Sequence, residues 1–86
     1  MMTTTISRYA MERVAQQTKN QNRYVLLRLD EGEAQMYAIW ILNRETHALE
    51  TIGEDPALAQ RLFGLAVEGE LSPYHLYDWV SDLKRE

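Results

Sequence analysis

His75, Asp78 and Asp82 stand three and seven positions apart within "LSPYHLYDWVSDL", residues 71–83. On a helix this spacing gathers an imidazole and two carboxylates on one side, a set suited to holding a divalent cation or to moving protons. Zinc sites draw three or four ligands from several elements, and the only other histidine, His47, lies near a turn. Acid/base chemistry on a hydroxyl would need a nucleophile beside His75. Ser72 is better placed as a helix cap, and Ser81 lies six positions on, on another side of the helix. A solvated helix face accounts for all three residues, so no catalytic, metal or cofactor-binding residue is assigned and no cofactor is expected.

The remaining residues of the stretch say what carries that face. At about 100° per residue, Leu76, Val80 and Leu83 form a buried stripe, Trp79 and Tyr77 its margins, and Tyr74, His75, Asp78 and Asp82 the wet side. Ser72 and Pro73 start the helix, with Leu71 and Leu76 spaced for a hydrophobic staple and Lys84 and Arg85 at the negative end of the dipole. Asp55 and Pro56 start the helix before it. There Leu58, Leu62, Leu65 and Ala66 are expected to form the apolar stripe, with Phe63 beside Ala59 on its flank. Gly64 inside that helix suggests close packing, and Gly69 a left-handed C-terminal cap.

Upstream, "RYVLLRLDEGEAQMYAIWIL" reads as a hairpin. A loop at Glu31 and Gly32, or at 30–33, sets Leu29 opposite Ala34, Leu27 opposite Met36 and Val25 opposite Ala38. The other face then carries Tyr24, Leu26, Tyr37 and Ile39, with Arg28 beside Gln35. The second strand is apolar on both sides and wants cover on both. Two helices supply one cover; the other falls to the N-terminal segment or a second subunit. Trp40 and Trp79 are expected to anchor the core between sheet and helices. "HALETI" adds a further strand. "ISRYAMERVAQQ" is rich in helix formers, with Ile6, Tyr9, Ala10 and Val14 roughly on one helical side, and its pattern leans to helix. Met1 to Thr5 is expected to be a disordered tail, followed by one domain over 6–86.

Composition bounds the function. The 86 residues are 45% apolar and 26% charged, an ordinary globular mixture, with no cysteine for a disulfide framework or thiolate metal site. The start lacks the basic and apolar regions of a secretory signal, and the longest apolar run, Tyr37 to Leu42, is far short of the roughly 20 residues of a spanning helix. A cytoplasmic protein without membrane association is expected. Net charge is -4. It divides into +3 over residues 1–30 (five bases, two acids) and -7 over the rest (four bases, eleven acids). The sign argues against phosphate-backbone binding, leaving a local Arg-bearing strip as the alternative route to nucleic acid.

The run "EDPALAQRLFGLAVEGELSPYHLYDWVSDL" resembles the C-terminal half of an uncharacterised family of short proteins from spore-forming Gram-positive bacteria. In that family an acidic turn leads into a Leu-rich helix, then a Ser/Thr-Pro-x-His-Leu start and an x-Asp-x-Val-x-Asp-Leu helix. Ser72, Pro73, His75, Leu76, Asp78, Val80, Asp82 and Leu83 match this pattern, while Tyr74 and Trp79 give the segment an aromatic character of its own. The resemblance covers about a third of the chain. It implies a β-rich first half, with "ISRYAMERVAQQ" as an extra strand, and it implies no activity.

The expected architecture is α+β: an antiparallel meander of three or four strands with two C-terminal helices on one face. The expected function is a small, non-catalytic protein-interaction or regulatory module that binds a protein partner or a second copy of itself as a homodimer. Tyr74, Tyr77, His75, Tyr37 and Ile39 are the candidate contacts. Metal-assisted or acid/base chemistry at His75, Asp78 and Asp82 is the alternative from another class.

Overall fold

A computed structural model describes residues 10–84. Four strands, β1 (Ala10–Lys19), β2 (Asn22–Glu31), β3 (Ala34–Leu42) and β4 (His47–Gly53), form an antiparallel sheet in the order β1-β2-β3-β4. Helices α1 (Pro56–Glu68) and α2 (Pro73–Lys84) follow. The expected α+β meander with two terminal helices is the observed fold. The expectations for Met1 to Thr5 and for Ile6 to Tyr9 fall outside the described residues.

The helical expectation for the first segment is overturned: Ala10–Lys19 is a strand, paired along its length with β2. Helix propensities differ by only tenths of a kcal/mol per residue, and a partner strand outweighs them. The strand changes frame midway. Arg13 pairs with Leu27 and Ala15 with Leu26, so Val14 is an extra residue, a β-bulge. Strand β4 carries the matching irregularity at Ile52, between Gly53 opposite Tyr37 and Thr51 opposite Ala38. The two edge strands are therefore bulged and the two central ones regular.

The β2–β3 register is displaced by two residues from expectation. Glu31 pairs with Ala34, which puts Gly32 and Glu33 in the loop and Leu29 opposite Met36, Leu27 opposite Ala38 and Val25 opposite Trp40. Arg28 faces Tyr37 instead of Gln35. Gly32 takes φ +64 at the first loop position, as a type II′ turn requires, and Glu33 keeps an ordinary φ. A type I′ loop at Glu31 and Gly32 would have forced a side-chain-bearing residue into left-handed space. Because a slide of two preserves parity, each residue stays on the face expected of it.

One face is covered by the helices. Tyr24, Leu26, Tyr37, Ile39 and Ile41 pack against Ala59, Leu62, Phe63, Ala66 and Val67 of α1 and Leu76 and Val80 of α2. Asp55 caps α1, its Oδ1 accepting from the backbone N–H of Ala57 at 3.0 Å and of Leu58 at 3.4 Å, with Pro56 in the first turn. The buried stripe of α1, at positions 59, 62, 63, 66 and 67, is rotated from the one expected. Leu58 and Leu65 are exposed. A Cβ on Gly64 would meet nothing within 4 Å, so that glycine serves no close approach. Gly69 is right-handed at φ -81; the left-handed position falls on Glu70, φ +53. The Leu71 N–H donates to Ala66 O and the Glu70 N–H to Val67 O, which closes the helix in a Schellman pattern one residue later than expected. In α2 Leu76 and Val80 are buried as expected, whereas Leu83, near the end, is 38% exposed.

Candidate functional site

The second face of the sheet has no layer over it among the described residues. It is built in rows across the strands: Met11, Leu29 and Met36; Arg13, Leu27, Ala38 and Thr51; Gln16, Val25, Trp40 and Leu49; Thr18, Arg23, Leu42 and His47. Val25, Leu27 and Ala38 are buried all the same, packed beneath partly exposed Leu29, Trp40 and Leu42. Leu49 is 43% and Met11 65% exposed. Trp40 thus lies on the open face and not between sheet and helices; Trp79 packs against the helix-side core as expected. The Trp40 indole N–H donates to His47 Nδ1 at 3.3 Å, which requires that nitrogen unprotonated, and the rings meet edge to face.

At one end of this face the β1–β2 and β3–β4 turns frame a cavity of about 310 Å³ lined by Thr18, Gln21, Arg23, Leu42, Asn43 and Arg44. Asn43 is the organiser. Its Oδ1 accepts from the backbone N–H of Glu45 (2.9 Å) and Thr46 (3.0 Å), and its Nδ2 donates to Asn22 Oδ1 at 3.1 Å. From there Asn22 Nδ2 donates to the Tyr24 hydroxyl (3.3 Å), which donates to the Leu71 carbonyl at 2.9 Å. The chain of bonds ties the cavity's frame to the core and to the α1–α2 turn. Burial raises the Tyr24 phenol above its ordinary pKa, the Asn22 bond lowers it and the Glu70 carboxylate raises it further.

The candidate contacts divide. Tyr74, Tyr77 and His75 are exposed on the outer side of α2, Tyr74 and Tyr77 by 65% and 64%. Tyr37 and Ile39 are 6% and 0% exposed beneath the helices, which removes them from any surface. Both faces of the hairpin are apolar, so pattern alone did not tell which one the helices would take. The surface left open instead is the one bearing Leu29, Trp40, Leu42 and Leu49, and its signal was the two-sided apolar run of β3.

Around His75, the Ser72 hydroxyl lies 3.0 Å from Nδ1. The pair lies at the start of α2, with His75 on the solvent side of the helix, and Asp78 and Asp82 are exposed beyond it. Among the described residues no group of three or more His, Cys, Asp or Glu side chains is placed to hold a metal ion. No helix in the described residues is long and apolar enough to cross a membrane. Comparison of the chain with known protein families, with curated proteins and with solved structures finds no match.

Proposed function

We propose that this chain is a non-catalytic, cytoplasmic protein-binding module and that the open face of its sheet is the binding surface. The observation that carries this is the one-sided placement of the helices. Both pack on Tyr24, Leu26, Tyr37, Ile39 and Ile41, while Met11, Leu29, Met36, Trp40, Leu42 and Leu49 form an apolar field with no layer over it among the described residues. Monomeric proteins seldom leave a large contiguous apolar patch in water, and an aromatic side chain at its centre suits an interface anchor. The cysteine-free composition is compatible with a reducing compartment. No observation favours chemistry at His75, Asp78 and Asp82 over a solvated helix face.

The test is affinity capture from the native cell with three baits: the wild type, Leu49→Lys on the open face, and Tyr77→Lys on the outer side of α2. Proteins retained by the wild type and by Tyr77→Lys but lost with Leu49→Lys are the expected result. Loss with Tyr77→Lys alone would move the binding surface to the helices and defeat the proposal. Circular dichroism of each bait separates loss of binding from loss of fold.

A further inference from the structure

The cations of the two sheet faces are treated differently. On the helix side Arg28 is paired with Glu12 and with Asp30, and Lys19 lies 3.8 Å from Glu70. On the open side Arg13 bonds only the neutral Gln16, and Arg23 and Arg44 have no carboxylate within 4 Å among the described residues. Glu45 lines a smaller neighbouring cavity with Arg44 and forms no ion pair with it. None of the described side chains in the four rows of the open face is acidic.

Resting on the open-face reading above, we infer that the cavity between Arg23 and Arg44 receives a carboxylate of an acidic, apolar segment of a partner protein, whose apolar side chains lie on Leu42, Trp40 and Leu49. The cavity is continuous with the face, since Thr18, Arg23 and Leu42 are both its lining and the last row of the sheet. Its frame is set before binding by the Asn43 bonds, so little ordering accompanies docking. Guanidinium groups are suited to carboxylates, which they bind in forked geometry. Charge complementarity also argues against a second copy across a two-fold axis. That arrangement brings Arg13, Arg23 and Arg44 of both copies to one interface, where the described rows of the sheet supply no carboxylate and the adjoining loop supplies only Glu45. Four strands about 4.8 Å apart and roughly 30 Å long present only about 550 Å² per partner, at the lower end of specific interfaces, which leaves little to offset like-charge repulsion.

The experiment uses labelled ten-residue peptides of alternating Leu and Gln, one ending in two Glu and the other in two Lys, read by fluorescence anisotropy at low salt. A third peptide replaces Leu by Ser, and a twelve-nucleotide oligo-dT is a fourth probe. The expected result is about tenfold tighter binding of the Glu-ended peptide than of the Lys-ended one, and no binding of the Ser peptide. Arg23→Glu/Arg44→Glu should reverse the preference, and Arg23→Gln/Arg44→Gln should abolish it. Equal binding of both Leu peptides, lost in Leu49→Lys, would overturn the acidic partner and leave the open-face reading standing. Leu-independent binding, or none, would overturn the inference, and so would tighter binding of oligo-dT. Sedimentation showing concentration-dependent growth that Arg23→Glu abolishes would assign the cavity to a second copy and overturn it as well.

Discussion

Replacing Tyr24 by Phe removes one oxygen from the junction of three turns and leaves the ring in place. The hydroxyl donates to the Leu71 carbonyl at 2.9 Å and accepts from Asn22 Nδ2 at 3.3 Å, in a residue with 0% exposure. A neutral hydrogen bond contributes about 1 kcal/mol net, and a carbonyl left without its donor adds to the loss, so the cost is about 1–2 kcal/mol. For a domain of this size each kcal/mol moves the melting temperature by about 4–8 °C, which predicts a fall of roughly 5–15 °C. Tyr37→Phe is the matched control. That hydroxyl has no hydrogen-bond partner among the described residues, and its loss should change stability by less than about 0.5 kcal/mol. The pH dependence supplies a second arm. Folding raises the Tyr24 pKa, chiefly by burial, so the neutral phenol is the form the fold favours. The associated stability is fully present below the unfolded value of about 10 and is lost as pH rises through the folded value. Thermal melts of wild type and Tyr24→Phe should therefore differ by a constant amount up to about pH 9 and converge above pH 10. Equal effects of the two Tyr→Phe changes, or a gap that does not narrow in alkali, would refute the reasoning.

Gly64→Ala should raise the melting temperature by about 4–8 °C, since alanine favours a helix interior by about 1 kcal/mol and its methyl group meets nothing within 4 Å; a fall would mean unseen crowding. Asp55→Ala should cost about 1 kcal/mol in chemical denaturation by leaving the Ala57 and Leu58 amides without their acceptor, whereas Asp55→Asn should recover most of it. Leu49→Lys, on the open face at 43% exposure, should leave the circular dichroism spectrum unchanged, and Leu76→Ala, fully buried, should cost about 2–5 kcal/mol; comparable losses from both would contradict the one-sided packing.

The legible parts of the fold are those whose signals are local. Asp55 and Pro56 announce a helix start because the chemistry that caps a helix involves neighbours only. Face assignment in the β2–β3 hairpin follows from alternation, but its register does not, because sliding by two returns every side chain to the same face. Only the left-handed requirement at Gly32 distinguishes the two registers. The strand identity of β1 is hidden twice over. Its Ala, Met, Glu, Arg and Gln are helix formers, and the bulge at Val14 breaks the alternation, so Met11 and Arg13 share the open face with Gln16 and Thr18, not with Ala15 and Gln17. The stripe of α1 was displaced because Leu58 and Leu65 are as apolar as the residues that are buried, and only the sheet's position chooses between them. For the same reason the two-sided apolar run of β3 signals a need for cover without its location, and Arg23 and Arg44, 21 positions apart in the chain, meet only when the β1–β2 and β3–β4 turns come together.

Bulges at Val14 and Ile52 disturb both outer ladders, and the first edge adds Arg13 and Lys19 along its length. A neighbouring chain that tried to extend the sheet sideways would lose pairing at each interruption, so growth into ribbons by strand addition is discouraged at either border. Under the protein-binding reading proposed above, a partner would then be met on the broad side of the sheet, by its side chains and not by its backbone.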